Sequence, residues 1–244
     1  MSYVISISGG NDSVACIQYA IENKIENAII VYINTGWASP DWPDRLKVIK
    51  EKSPYPYFEI KGAYDFESLC IHKQAFPRFG MQFCTQHLKG IPFLEFLDEY
   101  DPKLQATIIL GKRREESIKR RNLEEFIDSS EYHGGRKLWH PLYTATVSER
   151  NSLIQKFGID ILPHRSTECF PCVNSGKNML QVFSQNEEMV RRTERLEEKI
   201  GQPMFRAQGK MGAKGIRNVI IWAKSERGQY RGQEDSCAFD MCGD

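Results

Sequence analysis

The apolar run Tyr3-Val4-Ile5-Ser6-Ile7 breaks at Ser8-Gly9-Gly10-Asn11-Asp12-Ser13, and the amphipathic stretch Val14 to Ile21 follows at once. Strand, glycine turn and helix in that order restrict the chain to folds built from βα units. Adjacent glycines let the backbone approach a ligand closely and adopt conformations that a side chain forbids. The start of the following helix adds unpaired N–H groups and a positive dipole end, so the loop reads as an anion cradle. Its spacing is neither the three-glycine dinucleotide fingerprint nor the Walker loop with its Gly-Lys-Ser/Thr. Read as a plain turn, Asn11, Asp12 and Ser13 would only cap the helix.

The rest of the chain repeats the unit. Ala28 to Ile33 is a continuous apolar, β-branched run, as in a parallel strand covered on both faces, and it ends at Asn34-Thr35-Gly36. Pro40 to Lys52 is expected to be helical, Tyr57 to Ile60 and Thr107 to Leu110 to be strands, and Val147 to Phe157 and Glu187 to Ile200 to be helices. The expected fold is α/β, a doubly wound and mainly parallel sheet, in which ligands sit beyond the carboxyl ends of the strands. Gly9-Gly10, Thr35-Gly36 and Gly111 all fall there. The length of 244 residues suits one such domain with an appendage. The expected division is a nucleotide-binding domain over 1–145 and a less regular helical and loop extension over 146–244 that contains cysteines.

The loop Ser8 to Ser13 resembles the Ser-Gly-Gly-x-Asp-Ser signature of the PP-loop superfamily, the ATP pyrophosphatases and their sulfate-reducing relatives. Gly111-Lys112-Arg113-Arg114-Glu115-Glu116-Ser117 resembles the Gly-x-Arg-Arg-x-x-Ser segment of phosphoadenosine phosphosulfate (PAPS) reductases, and Asn34-Thr35-Gly36 their Asp-Thr-Gly, with Asn34 departing from the pattern. The resemblance implies that Ser8, Gly9, Gly10, Asn11, Asp12, Ser13, Thr35, Gly36 and Gly111 bind a nucleotide. Arg113 and Arg114 would present planar donor forks to its phosphate or sulfate. On the bland reading these arginines belong to one solvated face balanced by Glu115 and Glu116.

Seven cysteines is an odd count, and in a reducing compartment such residues are ligands, nucleophiles or core. Cys169-Phe170-Pro171-Cys172 places two thiols three positions apart, able to share one ion or cluster or to close a disulfide. Cys84-Thr85, followed by Lys89 and Pro92, resembles the Cys-Thr-x-x-x-Lys-x-x-Pro pattern of the PAPS-reductase-like group that includes the sulfur-handling ATPases of DNA phosphorothioation. Cluster-bearing reductases have two adjacent cysteines here, whereas this chain has Phe83-Cys84. Cys84, Cys169, Cys172 and a tail cysteine, Cys237 or Cys242, would make four soft ligands, for a [4Fe–4S] cluster by resemblance or for zinc. His87 leaves a Cys3His zinc site open. Cys16 and Cys70 lie on apolar helix faces and read as core.

PAPS reductases end in a mobile Glu-Cys-Gly whose thiolate attacks sulfur, and this chain ends Met241-Cys242-Gly243-Asp244. By that resemblance Cys242 is the nucleophile, a role at odds with permanent ligation. The segment from Pro203 to Arg231 carries Arg206, Lys210, Lys214, Arg217, Lys224, Arg227 and Arg231 with interleaved glycines, and reads as a mobile basic lid interrupted by the strand-like Val219 to Trp222. It would cover a polyanionic nucleotide or meet nucleic acid, with Phe205, Trp222 or Tyr230 offered for stacking.

A net charge of +1 gives no global field toward nucleic acid or membrane, and no apolar run reaches spanning length, so a soluble cytoplasmic protein is expected. Three functions compete. One is a PAPS-reductase-like oxidoreductase or sulfurtransferase on an adenylyl nucleotide, with a thioredoxin-like reductant or a sulfur donor as partner. The second is an ATP pyrophosphatase that adenylylates a nucleic acid or small molecule for sulfur or nitrogen insertion, with Mg²⁺ on the pyrophosphate and Asp12 as its partner. The third is a nucleotide- or cluster-sensing module without catalysis. A homodimer is compatible with each.

Overall fold

The computed structural model describes residues 2–78, 80–205 and 214–226. Among them the chain runs β1 (Tyr3–Ile7), α1 (Asn11–Glu22), β2 (Ala28–Ile33), α2 (Trp42–Lys52), β3 (Tyr57–Ile60) and α3 (Phe66–Lys73). A short α4 (Phe83–Thr85) then passes through a π-helical turn, Gln86–Gly90, into α5 (Ile91–Tyr100). There follow β4 (Thr107–Leu110), β5 (Phe126–Ser130), β6 (Arg136–Trp139), α6 (Val147–Phe157), α7 (Lys177–Phe183), α8 (Glu187–Ile200) and α9 (Ile216–Lys224). The six strands form one sheet in the order β3-β2-β1-β4-β6-β5, parallel except for β5 against β6.

The pleat explains why the central strands are apolar on both faces. Ile5, Ile7, Ile30, Tyr32 and Ile109 project to one side and bury against α1, α2 and α6. Val4, Ile29, Val31, Ile33, Ile108 and Leu110 project to the other, onto Phe93 and Leu97 of α5. From β1 the chain steps outward to β2 and β3, then returns to place β4 on the opposite flank of β1. The carboxyl ends of β1 and β4 therefore border the crevice where the winding reverses. A further apolar core joins Trp37, Phe66, Leu69 and Cys70 to one face each of α7, α8 and α9.

The expected strands and helices form at their expected places. One expectation is corrected: Val219 to Trp222 is not strand-like but lies within α9, where Ile216, Val219, Ile220 and Ala223 bury at helical spacing. A β-branched run carries either geometry, and tertiary packing decided it. Two features were not anticipated, the α4 to α5 helical stretch and the antiparallel β5–β6 pair. Helix α6 starts beyond position 145 yet packs on α1. Among the described residues no helix is long and apolar enough to cross a membrane.

Candidate functional site

Gly10 is the N-cap of α1 and brings no side chain to satisfy the first-turn amides. Gly9 has φ +79, and a Cβ there would stand 3.0 Å from Leu46 and 3.1 Å from Trp42. That close packing is stitched by hydrogen bonds: Trp42 Nε1 donates to Ser8 O at 3.1 Å and Arg45 Nε to Gly9 O at 2.8 Å. Ser13 Oγ donates to Gly10 O at 2.9 Å, tightening the loop on itself. Gly111 performs a different task, because a Cβ there would lie 2.7 Å from the carbonyl of Asp12. Only glycine lets the end of β4 press against the first turn of α1.

Asp12 faces Arg113 across this contact. Arg113 Nε donates to the Asp12 carboxylate, and Nη1 donates to Glu115 Oε2 and to Ala145 O, each at 3.1 Å. Arg150 of α6 approaches from the other side, its Nη1 3.6 Å from Asp12 Oδ2. These groups open on a cleft of about 370 Å³ lined also by Glu116, Ser117, Leu162 to Ser166, and Asn178, Met179 and Val182 of α7.

The segment 162–171 straps the cradle to the cysteines. Asn11 exchanges paired hydrogen bonds with Leu162, Nδ2 to O and N to Oδ1, both 2.9 Å. Ser39 N donates to Thr167 O at 2.9 Å, Thr35 Oγ1 to Glu168 O at 3.1 Å, and Phe170 N to Trp37 O at 2.7 Å. Thr35 and Gly36 thus spend polar groups on the protein: Gly36 N donates to Asn34 Oδ1 at 2.8 Å, and Gly36 O accepts from Arg192 at 3.0 Å. Gly36 borders a second cleft of about 500 Å³ walled by Tyr32, Trp42 and Tyr57, with Glu59 and Asn34 at its rim.

At the far end of the strap, Cys84, Cys169 and Cys172 share one neighbourhood. Burial pushes the Cys84 thiol up to about 12, with Cys172 adding to the rise. Burial and Glu168 likewise push Cys169 upward, with smaller additions from Cys172 and Cys84. The π-helical turn after Cys84 aims Lys89 inward, where its Nζ meets Glu168 Oε2 at 2.7 Å. Burial would depress the lysine, but Glu168 and the adjacent thiols outweigh it and hold its pKa above the usual value. Cys70, read as core, is fully buried and lies within electrostatic reach of Cys84.

Three half-buried thiols in one neighbourhood are a soft donor set suited to zinc or an iron–sulfur cluster. Among the described residues, however, no three His, Cys, Asp or Glu side chains stand close enough to hold a metal. Cys237, expected as a ligand, and Cys242, expected as the nucleophile, lie outside the described residues.

The structure brings Asn11, Asp12 and Arg113 to one cleft and gathers Cys84, Cys169 and Cys172 elsewhere along the strap. It does not bring Arg114 there: that side chain is exposed, donates to Leu123 O at 2.8 Å and stacks 4.8 Å from the Tyr143 ring centroid. Within the basic segment, Arg217 is ion-paired with Glu187 and Glu194, while Arg206, Lys210, Arg227 and Arg231 are outside the described residues. Sequence reasoning missed Arg150 and the strap. Arg150 carried one signal, a cation near a helix N-terminus, where the dipole disfavours it.

No curated protein sequence matches the chain. A solved PAPS reductase from Candida auris, a phosphate complex, is similar at 13% identity and TM-score 0.49, over 66% of this chain and 75% of that one. An FMN adenylyltransferase from Candida glabrata, solved with FMN and the ATP analogue AMPCPP, is similar at 12% identity and TM-score 0.42, over 63% of this chain and 47% of the other. A family model, the phosphoadenosine phosphosulfate reductase domain, matches residues 2–169, which take in the glycine loop, Cys84, the Gly111 segment and Cys169. The chain belongs to the phosphoadenosine phosphosulfate reductase domain family.

Proposed function

We propose that this chain is a PP-loop enzyme that binds an adenylyl nucleotide by its phosphates over the first turn of α1 and cleaves it at or next to the α-phosphate in handling sulfur. The observation that carries the reading is the cleft at the reversal of the winding, lined by Asn11 and Asp12 in the first turn of α1, next to the glycine loop, and by Arg113, Arg150 and Arg165. Helix amides and guanidinium forks are the groups that recognise phosphate. Gly9, Gly10 and Ser13 shape the loop, Gly111 sets its distance from β4, and Arg113 fixes Asp12. With PAPS as the nucleotide, the Cys242 thiolate would attack sulfur and displace adenosine 3′,5′-bisphosphate to leave a cysteine S-sulfonate, and a thioredoxin-like dithiol would release sulfite, restoring the thiol as it is oxidised to a disulfide.

One observation favours ATP as the second reading. Arg114 turns away from the cleft and Arg113 is committed to carboxylates, while Asp12 lines the cleft. A carboxylate beside bound pyrophosphate is suited to a Mg²⁺ ion, which would neutralise phosphate charge when bound. By the family resemblance Cys84, Cys169, Cys172 and Cys237 would supply the thiolates of a cluster or zinc site, for which the three described thiols would have to draw closer than they stand here. Product analysis separates the readings. Release of adenosine 3′,5′-bisphosphate from PAPS, lost in Cys242→Ser, supports the first; release of pyrophosphate from ATP, retained in Cys242→Ser, supports the second. Intact recovery of both nucleotides, with every nucleic-acid or reductant supplement, removes the enzymatic reading.

A further inference from the structure

We propose that Arg150 is the residue that takes the terminal oxyanion of the substrate in this cleft, and that Asp12 holds Arg150 in place until the anion arrives. The proposal rests on the nucleotide reading of the same site and adds to it a residue that no motif marks.

Arg165 also lines the cleft, and Arg113 and Arg150, each paired with Asp12 there, differ in how far they are committed. Arg113 has three short contacts to protein oxygens, two of them carboxylates, and its side chain is 4% exposed. It is fixed, and its charge is matched within the protein. Arg150 has no such anchor. Its Nη1 is 3.6 Å from Asp12 Oδ2, beyond hydrogen-bond length, and its Nε and Nη2 both donate to the neutral Asn151 amide at 3.1 and 2.7 Å. A guanidinium whose side chain is 14% exposed, facing a cleft from near the N-terminus of α6, is held there against both desolvation and the helix dipole. An incoming tetrahedral oxyanion offsets both penalties, since two of its oxygens match the fork that now rests on one amide oxygen. Asp12 loses little on the exchange, because Arg113 stays bound to it. The ligand class is a phosphoryl or sulfuryl group at the end of the nucleotide chain.

The test measures equilibrium binding of inorganic pyrophosphate, inorganic sulfate, ATP and PAPS to the full chain by calorimetry in EDTA, with Arg150→Gln, Arg150→Lys and Asp12→Asn alongside the natural protein. Charge-assisted hydrogen bonds of this kind predict that Arg150→Gln weakens the tightest of these anions by about tenfold to a hundredfold. Arg150→Lys is expected to recover part of that loss, and Asp12→Asn, which frees Arg150 from its present contact, to tighten binding. Preference for pyrophosphate or sulfate assigns the group that Arg150 meets. Should Asp12→Asn fail to fold, the Gln and Lys variants decide the assignment of Arg150. Nucleotide binding with unchanged affinity in Arg150→Gln overturns the proposal and leaves the nucleotide reading standing. Pyrophosphate binding lost in Arg150→Gln, without any nucleotide binding, supports it and removes that reading. No binding of any probe overturns both.

Discussion

Arg113 at the end of β4 reaches back across 101 positions of sequence to the Asp12 carboxylate in the first turn of α1, with both side chains almost wholly removed from solvent. This ion pair ties the segment after β4 to the first turn of α1, beside the reversal of the sheet. Removing one partner of a buried pair leaves the other charge unpaired. Arg113→Met is therefore expected to destabilise the protein by about 3–5 kcal/mol, read by urea unfolding. A loss below about 1 kcal/mol, the range of exposed pairs, would contradict the assignment.

Gly111 owes its identity to contact distance. A methyl group at this position would have to displace the Asp12 carbonyl, only 2.7 Å away, and with it the first turn of α1. Gly111→Ala should cost about 1–3 kcal/mol in thermal or urea unfolding. It should also weaken nucleotide binding more than that loss of stability explains, because the displaced turn carries the cradle.

Remote from the cleft, Arg136 is fully buried and donates to Asp101 Oδ2 at 2.9 Å and to the carbonyls of Leu97 and Asp101. Burial alone would raise the Asp101 carboxyl, but the amides of Ala106 and Gln105 and the Arg136 guanidinium outweigh it and hold its pKa below the usual value. The folded state then binds fewer protons than the unfolded one, so this stabilisation is complete above the unfolded value of about 3.9 and is lost as pH falls through the folded value. Asp101→Asn should be less stable than the natural protein at neutral pH, and the gap should narrow on acidification. A gap that stays constant down to the acid transition would refute this.

The half-buried thiols give a chemical prediction. With Cys84 pushed up to about 12 and Cys169 raised as well, the thiolate fraction at neutral pH is small. In protein stripped of metal, iodoacetamide at neutral pH should label both far more slowly than in urea. Labelling of Cys84 at the rate of the unfolded chain would show that the described burial does not hold. Anaerobic purification with iron, sulfide and zinc assays addresses the full ligand set, tail cysteines included.

The central sheet was readable because each buried strand is a short β-branched run bounded by glycine or by turn residues, and α1 because its polar and apolar faces alternate at helical period. Val219 to Trp222 was misread because such a run has no period of its own, and only the core it packs against made it α9. The cradle was legible from Gly9, Gly10 and Gly111, whose constraints are local or motif-bound. Arg150 was not, because it meets Asp12 through the packing of α6 on α1, a contact across 138 positions that no spacing rule encodes. Thr35 and Gly36 were expected at the nucleotide by family resemblance, and no spacing showed that the Thr35 hydroxyl donates to Glu168 O of the strap or that Gly36 O accepts from Arg192. That strap physically connects the cradle to Cys169.

Nucleotide affinity at the cradle is the most direct test of the account. Binding of AMP, ATP and PAPS to the full chain should be measured by calorimetry beside Gly10→Val, which puts a branched side chain at the N-cap of α1. The account predicts that ATP or PAPS binds with a dissociation constant in about the micromolar range, more tightly than AMP, and that Gly10→Val folds but loses the binding. Equal affinity in Gly10→Val, or no binding of any of the three to the natural protein, would contradict it.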